Sequence, residues 1–179
     1  MSLTLIIGGV RSGKSAYAVR TVTEHADRRV TFIATAPRID GDVDLDTRIE
    51  RHRSERPDDW GLIEEPVELA RVLATVPDDI VIIDCLTLWV SNLIWRGDDA
   101  SAIATATTNV VTALTARVPP SLVITNEVGL GVHPESELGR HFSEILGRVN
   151  QAVMAAADHR LMLVAGRAVM LTDPPEGLR

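Results

Sequence analysis

The chain predicts an α/β fold built on a largely parallel sheet, and two patterns carry that expectation. First, short runs rich in aliphatic and β-branched residues recur at 3–7, 30–34, 80–83, 122–125 and 161–165, with segments of helical spacing between them. Second, the earliest run opens directly into Gly8-Gly9-Val10-Arg11-Ser12-Gly13-Lys14-Ser15, a complete phosphate-binding loop of the pattern G-x-x-x-x-G-K-[ST]. A strand, such a loop and then a helix form the setting in which the loop works.

Taken in order, Leu3-Thr4-Leu5-Ile6-Ile7 is a buried strand, and the glycines after it let backbone N–H groups approach phosphate oxygens. Lys14 is set to reach the β- and γ-phosphates, and the Ser15 hydroxyl is left for Mg²⁺. A nucleoside triphosphate is therefore the expected ligand. Residues 16–20 continue as a helix, and 30–34 form the second strand. The stretch 36–68 is rich in charge and proline, without a strand signal until its end, and reads as a basic excursion from the sheet. Its centre, 46–56, has good helix formers and stops at Pro57, which cannot continue a helix.

Asp84 follows the strand 80–83, and Glu127 follows 122–125 by two residues. In an open parallel sheet, ligands bind at the carboxyl ends of the strands. Asp84 matches the acid that holds Mg²⁺ on the phosphates, and Glu127 is placed to complete the metal shell or to take a proton from an attacking hydroxyl. Either residue also fits a plain strand-end cap or turn. In 136–157 the residues Leu138, Phe142, Ile145, Leu146, Val149 and Val153 fall on one helical face. Near the end, Gly166-Arg167 between 161–165 and 168–171 suits a two-residue turn, predicting an antiparallel hairpin at the sheet edge.

At 179 residues, 45% apolar and with a mean hydropathy of +0.10, the chain suits one globular nucleotide-binding domain over 1–179. A net charge of −7 and a pI near 5.2 exclude an overall electrostatic footprint for nucleic acid or an anionic membrane. The lone cysteine, Cys85, excludes an internal disulfide and a Cys-rich metal site, so a reducing cytoplasm is the expected setting. No basic leader is evident and no apolar run approaches about 18 residues, so neither export nor membrane insertion is expected.

Arg48, His52 and Arg56 are spaced i, i+4, i+8, which on a helix aligns them with about 40° of drift per step. Cationic neighbours disfavour the imidazolium, and a neutral imidazole beside bound phosphate is a potential nucleophile. By residue type alone, however, the segment reads as a solvated basic helix that happens to carry a histidine. His25, His133, His141 and His159 show no ligand spacing and read as surface or packing residues.

Six blocks then appear in one order: the phosphate loop; Ile33-Ala34-Thr35; Arg48-Ile49 through His52-Arg53 and Arg56-Pro57 to Trp60; Asp84-Cys85-Leu86-Thr87-Leu88-Trp89-Val90 with Asn92-Leu93; Thr125-Asn126-Glu127-Val128-Gly129 with Gly131; and Gly147-Arg148-Val149-Asn150-Gln151. Over residues 5 to about 170 this order resembles the bifunctional adenosylcobinamide kinase/adenosylcobinamide-phosphate guanylyltransferase family of cobalamin nucleotide-loop assembly.

The resemblance implies a P-loop NTPase fold of RecA-like type, its mostly parallel sheet flanked by helices. It implies two reactions, the first being phosphorylation of the aminopropanol hydroxyl of adenosylcobinamide by ATP or another nucleoside triphosphate. GTP then gives GMP to that phosphate through a guanylylated histidine, forming adenosylcobinamide-GDP and pyrophosphate. The motif puts that histidine at His52, with Lys14 and Glu127 as further catalytic residues. Thr35, Arg53, Arg56 and Glu64 are expected to line the nucleotide site with residues 8–15, and Ser15 and Asp84 to hold Mg²⁺.

A homotrimer with active sites near the subunit interfaces is also implied, and segment 40–60 is expected to order when GTP binds. The chain departs from the pattern at His133, where an aliphatic residue is usual, and in the polar tail after Leu171. A monofunctional small-molecule kinase without a covalent intermediate is the alternative. A nucleotide-dependent switch is a second, disfavoured by a compact chain without further interaction domains.

Overall fold

Alternation along the central strands sorts their apolar side chains onto two faces of one sheet. In the computed structural model, which describes residues 2–25, 28–37 and 57–175, seven strands are present. They are β1 (Leu3–Gly8), β2 (Val30–Ala34), β3 (Gly61–Glu64), β4 (Ile80–Asp84), β5 (Ser121–Asn126), β6 (His159–Val164) and β7 (Arg167–Met170). Their order is β3-β2-β4-β5-β1-β6-β7; every neighbouring pair is parallel except β6 with β7.

Leu3, Leu5, Ile33, Val81, Ile83 and Val123 face one core layer, with helices α2 (Leu69–Thr75), α3 (Leu86–Arg96), α4 (Ala100–Thr115) and α5 (Glu137–Ala156). Ile6, Phe32, Ile80, Ile82, Leu122 and Ile124 face the other, where α1 (Lys14–His25) inserts Ala18 and Val22 one turn apart. Burial on both faces explains why these strands read as continuous apolar runs. Each fully buried aliphatic side chain contributes about 1.5–3 kcal/mol.

Local chemistry fixes the helix ends. The Asp99 carboxylate accepts from the Ala102 N–H at 2.8 Å to start α4, and the Ser136 hydroxyl oxygen accepts from the Gly139 N–H at 3.1 Å to start α5. Gly97, at φ 96°, ends α3 in the left-handed region where a side chain would be strained. The Trp89 ring is buried and its indole N–H donates to the Val67 carbonyl at 2.7 Å, so α3 is tied to the segment before α2. At the opposite edge from the phosphate loop, buried Arg117 donates to the carbonyls of Leu73 (2.9 Å) and Asp79, joining the end of α2 to the start of β4.

Two expectations are corrected and one is met. The strand signal at the end of 36–68 is Gly61–Glu64, which pairs in parallel with β2 as an edge strand. The hairpin turn is Ala165-Gly166, not Gly166-Arg167: both residues have positive φ, 48° and 76°, as a twist-compatible two-residue turn requires, and Arg167 already pairs with Val164. Leu138 is exposed, since it lies in the first turn of α5, ahead of the stretch from Phe142 onward that meets the core.

Candidate active site

Strand register brings the sequence-predicted acids to one edge. Ala34 lies between Asp84 on β4 and Glu64 on β3, while Gly8 on β1 is opposite Asn126 on β5. All stand at the carboxyl ends of parallel strands, where the phosphate loop begins.

The loop is built around crowding. A Cβ on Gly8 would lie 2.4 Å from the Leu163 carbonyl oxygen and 2.9 Å from the Ser12 hydroxyl, so β6 and the loop can be this close only at glycine. Gly13, at φ 97°, would press a Cβ to 3.3 Å from Gly166 Cα, and the Gly166 N–H donates to the Ser12 carbonyl at 2.9 Å. The tip of the C-terminal hairpin thus buttresses the loop's second half. Gly9, Val10 and Arg11 form its exposed crest, Arg11 in the left-handed region at φ 56°.

Lys14 is only 7% exposed and folds back over the loop, where Nζ donates to the carbonyls of Gly8 (3.0 Å) and Gly9 (2.7 Å) and to the Ser12 hydroxyl (3.4 Å). Burial lowers its pKa, an effect opposed by nearby Cys85 and Asp84. An ammonium held by neutral acceptors is available to exchange them for phosphate oxygens, which bind it more strongly.

The Ser15 hydroxyl donates to Asp84 Oδ2 at 2.7 Å across the gap between α1 and β4. Among the described residues no cluster of three or more His, Cys, Asp or Glu side chains could hold a metal ion. The hydroxyl and carboxylate are nevertheless the hard oxygen donors that suit Mg²⁺, an ion usually carried by one or two carboxylates together with substrate phosphates.

Thr35 is fully buried, and its hydroxyl is engaged at both ends: it donates to the Cys85 carbonyl and accepts from the Cys85 N–H, each at 2.7 Å. The Thr35 N–H donates to the Asp84 carbonyl at 3.0 Å. Asn92 Nδ2 donates to the carbonyls of Thr35 (2.8 Å) and Pro66 (2.9 Å). Thr35 therefore fixes the backbone that carries Asp84. Burial, with Asp84 adjacent, pushes the Cys85 thiol up to about 11, so it stays protonated at neutral pH.

Glu127 is half-buried; its N–H donates to the Gly8 carbonyl at 3.2 Å and its carboxylate accepts from the Gly129 N–H at 2.5 Å. Two residues without a role assigned from sequence hold this strand end. Asn150 Nδ2 donates to the Asn126 carbonyl at 3.0 Å while its Oδ1 accepts from the Thr125 hydroxyl at 2.7 Å. The Thr87 hydroxyl oxygen accepts from the Asn126 N–H at 2.8 Å. Their only sequence signal was membership in the ordered blocks. Glu64 stands exposed at the end of β3, two strands from the phosphate loop's near neighbour β4. His52, Arg53 and Arg56, with Arg48, lie outside the described residues. His133, His141 and His159 are exposed.

A parallel sheet carrying a phosphate loop, with a serine and an aspartate facing each other beside it, defines a P-loop nucleotide-binding fold. Solved structures agree on the fold. FlaH, a flagellar accessory protein from Methanocaldococcus jannaschii, is similar over 95% of this chain and 77% of its own, with a TM-score of 0.52 at 14% identity. The RadB recombinase is similar over 90% of this chain and 73% of its own, with a TM-score of 0.50 at 17% identity.

Sequence narrows the class. The family model for cobinamide kinase/cobinamide phosphate guanyltransferase matches residues 4–171, and the chain belongs to that family. It is 38% identical over 135 residues to the bifunctional adenosylcobalamin biosynthesis protein CobP of Pseudomonas aeruginosa, covering 74% of this chain and 76% of that protein. It is 37% identical over 148 residues to the corresponding CobU protein of Escherichia coli K12, covering 75% and 80%.

Proposed function

We propose that this chain, as a single nucleotide-binding domain, phosphorylates adenosylcobinamide with a nucleoside triphosphate and then transfers GMP from GTP to the product, releasing pyrophosphate. The observation that carries the reading is the Ser15–Asp84 contact at 2.7 Å beside the buried Lys14, within a chain of the cobinamide kinase/guanyltransferase family.

In the kinase step Lys14 exchanges the Gly8 and Gly9 carbonyls for β- and γ-phosphate oxygens, and the N-terminus of α1 faces the polyphosphate. Ser15 and Asp84 would hold Mg²⁺, whose charge offsets that of the phosphates. Glu127 accepts the proton of the attacking aminopropanol hydroxyl on Oε2, while Oε1 keeps the Gly129 N–H.

In the guanylyl step an imidazole nitrogen of His52 attacks the α-phosphorus of GTP. The N–P bond forms as the α–β P–O bond breaks, and pyrophosphate leaves with Arg53 and Arg56 as its cationic clamp. A phosphate oxygen of adenosylcobinamide phosphate then displaces the histidine, giving adenosylcobinamide-GDP. Glu64 accepts hydrogen bonds from guanine or ribose, and Thr35 bears on the nucleotide through Asp84. The working form is a cytoplasmic homotrimer. Among the described residues no helix is long and apolar enough to cross a membrane.

Intact-protein mass after incubation with GTP and Mg²⁺ tests the covalent step, with any adduct mapped under alkaline conditions that preserve a phosphoramidate. A GMP-sized increment on His52, lost in His52→Ala while kinase activity largely survives, is expected. A folded, GTP-binding chain that forms no adduct would leave a monofunctional kinase.

A further inference from the structure

The loop from Glu127 to Ser136 exposes aliphatic side chains beside the phosphate loop. Leu130 is 77% and Val132 96% exposed, and Val10, on the crest of the phosphate loop, is 77% exposed. Scattered exposed aliphatics are ordinary, but these stand on a segment that leaves the sheet beside the phosphate loop, where the Glu127 N–H donates to the Gly8 carbonyl. The loop is tied down at both ends. Glu127 donates from its N–H to Gly8 and accepts from Gly129, while the Arg140 guanidinium donates to the carbonyls of Pro134 (3.1 Å) and Glu135 (2.6 Å). Ser136 then caps α5.

On the strength of the proposed function, we infer that Leu130 and Val132, with Val10 on the same edge, form the surface on which the corrinoid ring of the acceptor rests. The polarity of the site selects this side. Phosphoryl transfer needs the acceptor oxygen in line beyond the γ-phosphate, away from the nucleoside. Asp84 and Glu127 mark the γ end at the tips of β4 and β5, and the loop leaves from Glu127 itself.

A corrinoid is a broad ring edged with methyl groups and amide arms, too wide for a slot between strand ends. It needs an open apolar ledge with backbone groups within reach of its amides. Gly129 and Gly131 flank Leu130 and are themselves exposed; the Gly129 N–H is taken by the Glu127 carboxylate, but its carbonyl and the Gly131 backbone carry no side chain of their own to cover them. Leu130 and Val132 stand outside the phosphate loop, so their side chains contribute to acceptor affinity and not to nucleotide binding.

The test is the double variant Leu130→Ser/Val132→Ser, with cobinamide binding followed by equilibrium dialysis through the ring's visible absorption. Losing two apolar contacts is expected to raise the cobinamide Kd about ten- to a hundred-fold, while GTP affinity and GMP-adduct formation stay at wild-type levels. Unchanged cobinamide binding in the variant, when wild type binds, overturns the ledge and leaves the proposed function standing. Wild type that binds no cobinamide removes both. If the variant instead falls from an oligomer to monomers in sedimentation, with cobinamide affinity per chain retained, the loop is an interface between copies and the inference is wrong.

Discussion

Replacing Thr35 with valine isolates one hydroxyl at almost constant shape. In the wild type that hydroxyl satisfies both backbone groups of Cys85, donating to the carbonyl and accepting from the N–H at 2.7 Å each. Valine leaves the Cys85 N–H without that partner, at a cost of about 1–3 kcal/mol for an unsatisfied buried group, whereas the carbonyl keeps the Trp89 N–H at 3.1 Å and loses one hydrogen bond, at about 0.5–1.5 kcal/mol. Cys85 is only partly enclosed, which favours the lower half of the first range, so the expected loss is about 2–3 kcal/mol. With a urea m value of about 2–3 kcal/mol/M, the unfolding midpoint should fall by about 1 M. Thr35→Ser keeps the hydroxyl and removes one methyl, costing about 1 kcal/mol.

The functional consequence follows from position. Cys85 is next to Asp84, so loosening it moves the carboxylate away from Ser15 and should reduce nucleotide-dependent activity in the valine variant more than in the serine variant. Urea unfolding by tryptophan fluorescence and steady-state kinase assays read the two effects. A valine variant within 0.5 kcal/mol of wild type would refute the reasoning, that being about the spread of neutral substitutions. So would a serine variant as impaired as valine.

Lys14→Ala should reduce kinase and guanylyl transfer together, each by about two orders of magnitude or more, because both reactions use one phosphate cradle; separate assays with ATP and GTP would show it. Gly8→Ala forces a Cβ to 2.4 Å from the Leu163 carbonyl and should destabilise the fold by about 1–3 kcal/mol, whereas Gly9→Ala, with nothing within 4 Å, should leave thermal stability nearly unchanged.

Glu65 gives a pH signature. Burial alone would raise its pKa, but the N–H groups of Glu68 and Val67, with Arg71, outweigh burial and hold it below the ordinary carboxylate range. Its ionised form therefore stabilises the fold above that range, and the contribution disappears as pH falls through the folded value. The melting-temperature gap between wild type and Glu65→Gln should accordingly be widest at neutral pH and close on acidification.

The parts of this fold legible in the sequence are those whose signal is local. The phosphate loop, its strand and its helix follow from the consecutive residues 3–20, and the buried strands declare themselves because both faces are covered. The edge strand Gly61–Glu64 was harder. Four residues of half-buried and exposed alternation after a proline-rich stretch give little pattern to read.

The hairpin was misplaced by one residue because Ala165 takes a left-handed conformation that sequence rules reserve for glycine and asparagine. At the site, Lys14, Ser15 and Asp84 are met where the loop and strand-end rules put them. The supporting partnerships were not readable: Thr35 meets Cys85 across 50 residues and Asn150 meets Thr125 across 25. Hydroxyls and amides carry no spacing rule that announces such a partner. Arg117 was missed for the opposite reason, since charged residues are seldom buried.

The contact between Gly166 and the phosphate loop sets an order on biosynthesis. The loop is translated before every strand but β1, yet the N–H that braces Ser12 belongs to a turn made more than 150 residues later, and β1 itself lies between β5 and β6. A nascent chain on the ribosome cannot assemble its nucleotide cradle early and add the rest. The cradle closes only after the β6–β7 turn has left the exit tunnel, so nucleotide capture reports on a chain whose whole sheet is already available.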